Sequence, residues 1–281
     1  MNRIKAVLWI LTGYSFSVLN NVIVKYLENI PANEITSFRM LFSLLLLTPF
    51  VIKNPQLLQS KCPKIHFLRG IFFFIGITLW SLGVKNSLLA TSSVIGLSEP
   101  FFVLIFSIII LNEKVGIQRF LAIFLCFLSI LSMIDFSEFN INSSSFFLLL
   151  GTSFVAIYQI LNKKCSDIDN KITSLIYYSF FGFLISCPFL FYNFVVPNFK
   201  ELIILISLGL SADLLLFSLL KGYSLAEASF LSPLKYSEFV YSAIFGYMFF
   251  NEIPILKSLI VMLIIMCTNA ILFLYEHYYK K

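Results

Sequence analysis

Runs of apolar residues fill this chain almost from end to end. They fall near 4–27, 33–52, 66–85, 91–111, 115–134, 144–163, 171–192, 200–220, 227–250 and 255–275. Each is close to the length that crosses about 30 Å of hydrocarbon at about 1.5 Å of rise per helical residue. Turn chemistry or charge separates them: Asn29-Ile30-Pro31, Lys53-Asn54-Pro55, Asn112-Glu113-Lys114, the Asn/Ser stretch 140–145, Asp167 to Asn170, Pro197-Asn198 and Asn251-Glu252. The pattern predicts an all-α polytopic membrane protein with ten transmembrane helices.

Composition sharpens this. Hydrophobic residues make up 59 % of the chain and charged residues 12 %, and mean hydropathy is +0.93. A soluble domain carries about 25 % charge because its surface must be wetted. Lipid is therefore expected as the main solvent. The ten spans use nearly all 281 residues, leaving no room for a soluble catalytic or nucleic-acid-binding domain. The first span follows Arg3 and Lys5, as a signal peptide would. Its interior holds Thr12, Ser15, Ser17, Asn20 and Asn21, and no small-residue cleavage site follows, so a span is the better reading.

Net charge is +6, but placement matters more than the sum. With the N-terminus inside, the inner loops hold fourteen Lys and Arg: Arg3, Lys5, Lys53, Lys61, Lys64, Arg69, Lys114, Arg119, Lys163, Lys164, Lys171, Lys221, Lys280 and Lys281. The outer loops hold four: Lys25, Lys85, Lys200 and Lys257. This asymmetry predicts cytoplasmic termini and a multi-pass protein of a bacterial inner membrane.

The two halves repeat. Ser98-Glu99 and Asn112-Glu113 return as Ser237-Glu238 and Asn251-Glu252 at an offset of 139. Ser81-Leu82, Ser87-Leu88 and Ser92 return as Ser218-Leu219, Ser224-Leu225 and Ser229 at 137, as does Ile35-Thr36-Ser37 in Ile172-Thr173-Ser174. Thr48-Pro49-Phe50 answers Cys187-Pro188-Phe189 at 139. The order and near-constant offset predict five-helix units over 1–136 and 141–281. Five is odd, so the units enter the membrane from opposite sides. Inverted repeats of this kind build transporters with a site near the midplane; duplication without a functional echo is the plainer alternative.

A charge in hydrocarbon costs roughly 2.5–3.5 kcal/mol even on the lenient insertion scale, so it should face a partner or a water-filled cavity. The candidates are Arg39, Glu99, Asp213, Lys235 and Glu238. Lys235 and Glu238 share a helix face, either as a packing pair or as part of a site. Tyr14, Ser17 and Asn21 form a stripe on span one, with Thr152 and Gln159 at the equivalent positions on span six. Such stripes serve as helix–helix glue or line a pore. Trp80 and Tyr236 offer aromatic faces to a ring or cation, and Trp80 also suits an interfacial belt. Pro100 and Pro233 should bend or break spans four and nine. Glu113 and Glu252 sit at span ends, where solvation is cheap, and are not assigned to substrate.

Cys62, Cys126, Cys165, Cys187 and Cys267 are scattered and show no CxxC, so neither a disulfide framework nor a metal site is expected. His66 and His277 stand alone near loops and read as solvated interfacial residues rather than ligands. No dinucleotide fingerprint, Walker loop, HExxH or GxSxG is present. No enzyme activity, cofactor or nucleic-acid partner is expected, and transport must be driven by a gradient or by exchange.

The paired five-helix units, each with an Asn-Glu before its last helix, resemble the EamA-type ten-helix members of the drug/metabolite transporter superfamily. Further stretches resemble one branch, the S-adenosylmethionine uptake carriers of obligate intracellular bacteria. These are Ser37-Phe38-Arg39, His66-Phe67-Leu68-Arg69-Gly70, Leu111-Asn112-Glu113 with Gln118-Arg119, Leu219-Leu220-Lys221 through Ser224 to Pro233, Tyr236 and Glu238, and Asn251-Glu252-Ile253-Pro254. The resemblance implies the EamA fold and uptake of S-adenosylmethionine in exchange for S-adenosylhomocysteine by alternating access. Its sulfonium and ammonium suit Glu99, Glu238 or Asp213, its carboxylate Arg39 or Lys235, and its adenine Trp80 or Tyr236. Any related zwitterion with a ring would suit them too. An exporter or proton-coupled carrier of amino acids or other small metabolites, and a non-transporting membrane scaffold, stand as alternatives. Tyr14, Asn21, Arg39, Trp80, Glu99, Gln159, Asp213, Lys235, Tyr236 and Glu238 are the candidate substrate contacts. Membrane lipid is the other expected partner, and the sequence leaves oligomeric state open.

Overall fold

The computed structural model describes residues 2–27, 29–85, 95–131, 143–190, 194–251 and 256–278, and all regular structure among them is helical. In chain order the helices are α1 (Asn2–Lys25), α2 (Ala32–Lys53), α3 (Pro63–Lys85), α4 (Glu99–Leu111), α5 (Ile117–Leu131), α6 (Ser143–Ile168), α7 (Lys171–Leu190), α8 (Phe199–Tyr223), α9 (Ser237–Phe250) and α10 (Leu256–Tyr278). Arg3–Val24, Asn33–Lys53, Ser145–Ile168 and Phe199–Tyr223 are long and apolar enough to cross a bilayer. Large apolar side chains such as Leu8, Ile52, Ile109, Met248 and Ile271 point outward, as a lipid-facing surface requires. Ser87-Leu88, Ser92, the 140–142 part of the Asn/Ser stretch, Glu252-Ile253-Pro254, Lys280 and Lys281 lie outside the described residues.

Local chemistry sets several helix ends. Asn198 begins α8 with a capping box: its side chain accepts the Glu201 N–H at 2.9 Å, and Glu201 accepts the Asn198 N–H at 2.8 Å. The repeated Asn-Glu has a backbone reason. Asn112 and Asn251 end α4 and α9 at φ 54° and 55°, the left-handed region that Asn tolerates better than most residues. Pro100 lies in the first turn of α4, where its missing N–H has no helical partner to lose. Pro233 does break its span. Residues 227–250 are not one helix but an α turn (Ala228–Leu231), a 3-10 stretch (Ser232–Tyr236) and then α9.

The helices pack across the two halves of the chain more than within them. The α1 helix lies against α8, α3 against α6 and α7, and α2 against α7 and α8. Beyond these, α4 packs on α6, α1 on α9 and α5 on α10. A buried cluster of Ala6, Ile10, Tyr14, Ala156, Ile160, Leu219, Tyr223, Leu231 and Leu234 ties α1, α6 and α8 to the broken element before α9. Glycine lets the tightest pair meet. A Cβ on Gly151 of α6 would stand 2.8 Å from the Trp80 backbone nitrogen and 2.9 Å from the Gly76 carbonyl on α3.

One polar staple joins the start of α3 to the turn between α6 and α7. Asp169 accepts from Ser60 Oγ at 2.5 Å, Lys61 N at 2.9 Å and Cys62 Sγ at 3.2 Å. His66 Nε2 lies 2.9 Å from its other flank. His66 is fully buried, not solvated as its place near a loop predicted, because Tyr177 stacks on it and Asp169 covers its edge. Burial alone would raise the Asp169 carboxyl, but these donors outweigh it and hold it down at about 2.

Two measurements follow from this packing. Gly151→Ala should lower thermal stability in detergent by about 1–3 kcal/mol, the usual cost of overpacking a crossing. Asp169→Asn should cost a similar amount, about 1–3 kcal/mol, because four donors lose a charged acceptor. Its pH dependence has a fixed sign. The folded carboxyl near 2 lies below the unfolded value of about 3.9, so the stabilisation is complete at neutral pH and fades as pH falls through that window. The melting-temperature gap between wild type and Asp169→Asn should be flat from about pH 6 to 8 and shrink below about pH 4.

Candidate functional site

The break before α9 puts charge where the helices meet. Lys235 sits in the 3-10 stretch and Glu238 in the first turn of α9, so the two lie on one side of the broken element. Glu99 starts α4 and comes in from the first half of the chain. Lys235 Nζ lies 3.0 Å from Glu238 Oε1 and 3.5 Å from Glu99 Oε2. It also sits 5.4 Å above the Tyr14 ring of α1. Side-chain exposure is 19 % for Lys235, 10 % for Glu99 and 18 % for Glu238, so the triad is shielded but not sealed.

The break itself is held in place from the first half. Both Glu113 oxygens accept backbone N–H groups, from Ala228 at 2.8 Å and Ser229 at 2.9 Å. Arg119 donates to Ser229 Oγ at 2.5 Å and pairs with Glu227. Glu113 is thus bonded to backbone rather than solvated. Any helical turn leaves its first N–H groups free, and this carboxylate satisfies two of them.

Gln159 of α6 carries the network inward. Its Oε1 accepts from Tyr223 Oη at 3.5 Å and Asn162 Nδ2 at 3.1 Å, which leaves its amide NH2 to donate to Glu99. Asn162 Oδ1 in turn accepts from the fully buried Arg69 Nε at 2.7 Å. A relay therefore runs from the Arg69 guanidinium through two amides to the Glu99 carboxylate. Buried tyrosines flank it: Tyr14 beside Tyr223, and Tyr158 against Tyr178 with ring centroids 5.8 Å apart.

Arg39 and Asp213 form a second polar group, on α2 and α8. Asp213 Oδ1 accepts from Ser43 Oγ at 2.5 Å, and Ser43 also bonds Ser179 of α7. Arg39 acts on Asp213 and Tyr178 through space, and its buried Nε has no hydrogen-bond partner. Gly209, one turn before Asp213, allows this approach, since a Cβ there would stand 2.9 Å from Ser43 N.

The structure thus brings Tyr14, Glu99, Gln159, Lys235 and Glu238 together and sets Arg39 with Asp213 nearby on the tyrosine side. Three expected contacts lie elsewhere. Tyr236 is fully buried among Leu104, Ile123, Cys126, Val261 and Ile265, with its hydroxyl donating to the Ile123 carbonyl at 3.3 Å. The 3-10 winding turns it away from its neighbour Lys235. Trp80 spends its ring on the Gly96 backbone, where an added Cβ would meet Cη2 at 2.6 Å. Asn21 is exposed. The buried stripe of α1 follows Ala6, Ile10, Tyr14, Val18 and Val22, an i, i+4 ridge that drifts around the helix and leaves Asn21 outside. Asn20 takes the inner place, buried with both polar side-chain atoms unpaired. Asn162 and Tyr223 were also missed. Asn162 falls three residues after Gln159, a helical spacing that was available.

The scattered cysteines partly converge, contrary to expectation. Cys62, Cys165 and His66 place ligand atoms within 4.8 Å of one another, the spacing of a metal site. The chemistry is already spoken for. Arg69 can only donate, so His66 Nδ1 accepts from it at 2.7 Å and the ring proton sits on Nε2, bonded to Asp169. Burial, with Cys165 and Asp169 beside it, pushes the Cys62 thiol up to about 12, so it stays protonated. The residues present fit a structural network rather than a metal.

Comparison with known proteins agrees with this architecture. The profile of the EamA-like transporter family matches residues 4–134 and again 142–274. The chain is 32 % identical over 253 residues to an S-adenosylmethionine uptake transporter of Rickettsia prowazekii, covering 89 % of this chain and 86 % of that one. It is 33 % identical over 248 residues to the protein of that name in Rickettsia bellii, covering 88 % and 85 %. A protein of known crystal structure shares the fold at TM-score 0.80 over 100 % of this chain and 98 % of its own, at 12 % identity. Helices paired across two halves, a polar cluster at their junction and a twofold profile match have one common explanation: the chain belongs to the EamA-like transporter family.

Proposed function

We propose that the chain is an alternating-access carrier that takes up S-adenosylmethionine in exchange for S-adenosylhomocysteine across a bacterial inner membrane. The observation that carries this is the Lys235 ammonium held between Glu99 and Glu238 above Tyr14, at the junction of the two halves. Two carboxylates and one ammonium leave one negative charge over. S-adenosylmethionine carries a sulfonium, an ammonium and a carboxylate, so its net charge of about +1 complements the deficit. Tyr14 and Tyr223, beside the triad, are the rings that an adenine entering there would meet first. Arg39, with its unpaired Nε, remains a contact for the substrate carboxylate, and Asp213 orients it. The uptake transporters of Rickettsia support the choice of substrate.

The repeat underlies the mechanism. The units are residues 1–136 and 141–281, ten spans in all, inverted with respect to each other, with both termini cytoplasmic. Supporting this, advancing each helix number by five maps the packing pairs onto themselves: α1 on α8 becomes α6 on α3, α2 on α8 becomes α7 on α3, and α4 on α6 becomes α9 on α1. Two such halves rock about a fixed site, so the solute is never open to both sides. The chain carries no chemistry of its own and needs no cofactor.

Proteoliposomes loaded with S-adenosylhomocysteine should take up labelled S-adenosylmethionine, and empty ones should not. Glu238→Gln and Arg39→Gln should each cut that uptake by about tenfold or more at unchanged protein level, the loss expected for a charged contact. No uptake by the wild type removes the substrate. Normal uptake by both variants removes the site.

A further inference from the structure

Resting on the carrier reading above, we propose that Lys235 is a tethered stand-in for the substrate's cation. The arriving solute takes the place of Lys235 at Glu99, and the freed ammonium takes the substrate's carboxylate. The position of Lys235 is the first reason. An ammonium between two carboxylates and over an aromatic face, 5.4 Å from the Tyr14 centroid, has the surroundings a soft onium cation needs. The protein fills that place with its own side chain.

The two ion contacts are unequal. The 3.0 Å contact to Glu238 is near that of a good charged hydrogen bond, and the 3.5 Å contact to Glu99 is long. They differ in topology too. Lys235 and Glu238 are three residues apart on one broken element and travel together. The contact to Glu99 crosses to α4, in the other half of the chain, so it is the one that relative movement of the halves would open. Glu99 also has the Gln159 amide of α6 beside it, so it is not left bare at the moment Lys235 gives way to the solute.

The arginines do not reach the triad: Arg69 is bound to Asn162 and His66, and Arg39 faces Asp213 in the second polar group. The unmatched negative charge at Glu99 and Glu238 therefore waits for a cation from outside. A solute with only a cation fills Glu99 but leaves Lys235 unused. A solute with balanced charges and no sulfonium leaves the deficit in place. The swap thus selects molecules that carry an onium centre and an α-amino carboxylate together.

The test is equilibrium binding to the purified carrier of three probes: S-adenosylmethionine, S-adenosylhomocysteine and decarboxylated S-adenosylmethionine. Wild type should bind the first most tightly and each of the others about tenfold or more weakly. Glu99→Gln should weaken S-adenosylmethionine by about 10- to 150-fold and S-adenosylhomocysteine by less than about threefold. Lys235→Met should weaken S-adenosylmethionine to a similar degree, leave the decarboxylated probe as tight or tighter, and be rescued by Lys235→Arg. A wild type that binds none of the three removes the substrate reading beneath the proposal. A wild type that treats the three alike, or a Glu99→Gln that weakens the first two equally, overturns the swap and leaves that reading standing. Where a variant fails to fold, the wild-type order decides.

Discussion

Placing an ionised side chain at bilayer depth is the constraint on which this structure turns. The energy is acceptable only if the charge meets an opposite one and keeps some contact with water. Lys235 meets the first condition by bonding both Glu99 and Glu238, and all three side chains stay partly exposed. The pairing cannot be complete, because two carboxylates share one ammonium. A fully matched ion pair would have nothing to offer a solute, and this incompleteness is what the proposed carrier role rests on.

The fold supplies the geometry through interruption rather than regularity. In a continuous helix through 227–250, Lys235 and Tyr236 would point about 100° apart. The break at Pro233 rewinds that stretch, buries Tyr236 against α5 and leaves Lys235 facing α4. The free N–H groups that open the turn before the break are bound by Glu113 from the other half. The arrangement joins the two halves at the broken element by these backbone contacts and by the apolar clusters around Leu231, Leu234 and Tyr236. Tight helix crossings at Gly151 and Gly209 lie elsewhere, in the pairs α3–α6 and α2–α8.

A second charged centre supports the first from a distance. Arg69 is fully buried: His66, Asn162 and the Ser174 carbonyl accept from its Nε and Nη1, while Nη2 has no partner. Through His66 it reaches Asp169 and the loop before α3; through Asn162 and Gln159 it reaches Glu99. The same guanidinium therefore fixes the tautomer of a structural histidine and the orientation of a site glutamine. The cysteines that converge there read as packing within this network.

The sequence by itself settled what depends on counting. Apolar runs, scarce charge and the recurrence of Ser-Glu and Asn-Glu at an offset of 139 made the helices and the family legible. The charged residues that cluster where the halves meet were legible too, because an ionisable residue in an apolar run stands out whatever surrounds it. What the sequence could not fix was direction. Asn20 or Asn21, Lys235 or Tyr236, and Gly96 or a solute against Trp80 each depend on helix rotation, a rewound turn or a neighbour from a distant segment. The convergence of Cys62, His66, Cys165 and Asp169 across about a hundred residues was equally invisible. Periodicity gives a residue its place on its own helix; only the packing of one helix against another decides what it faces.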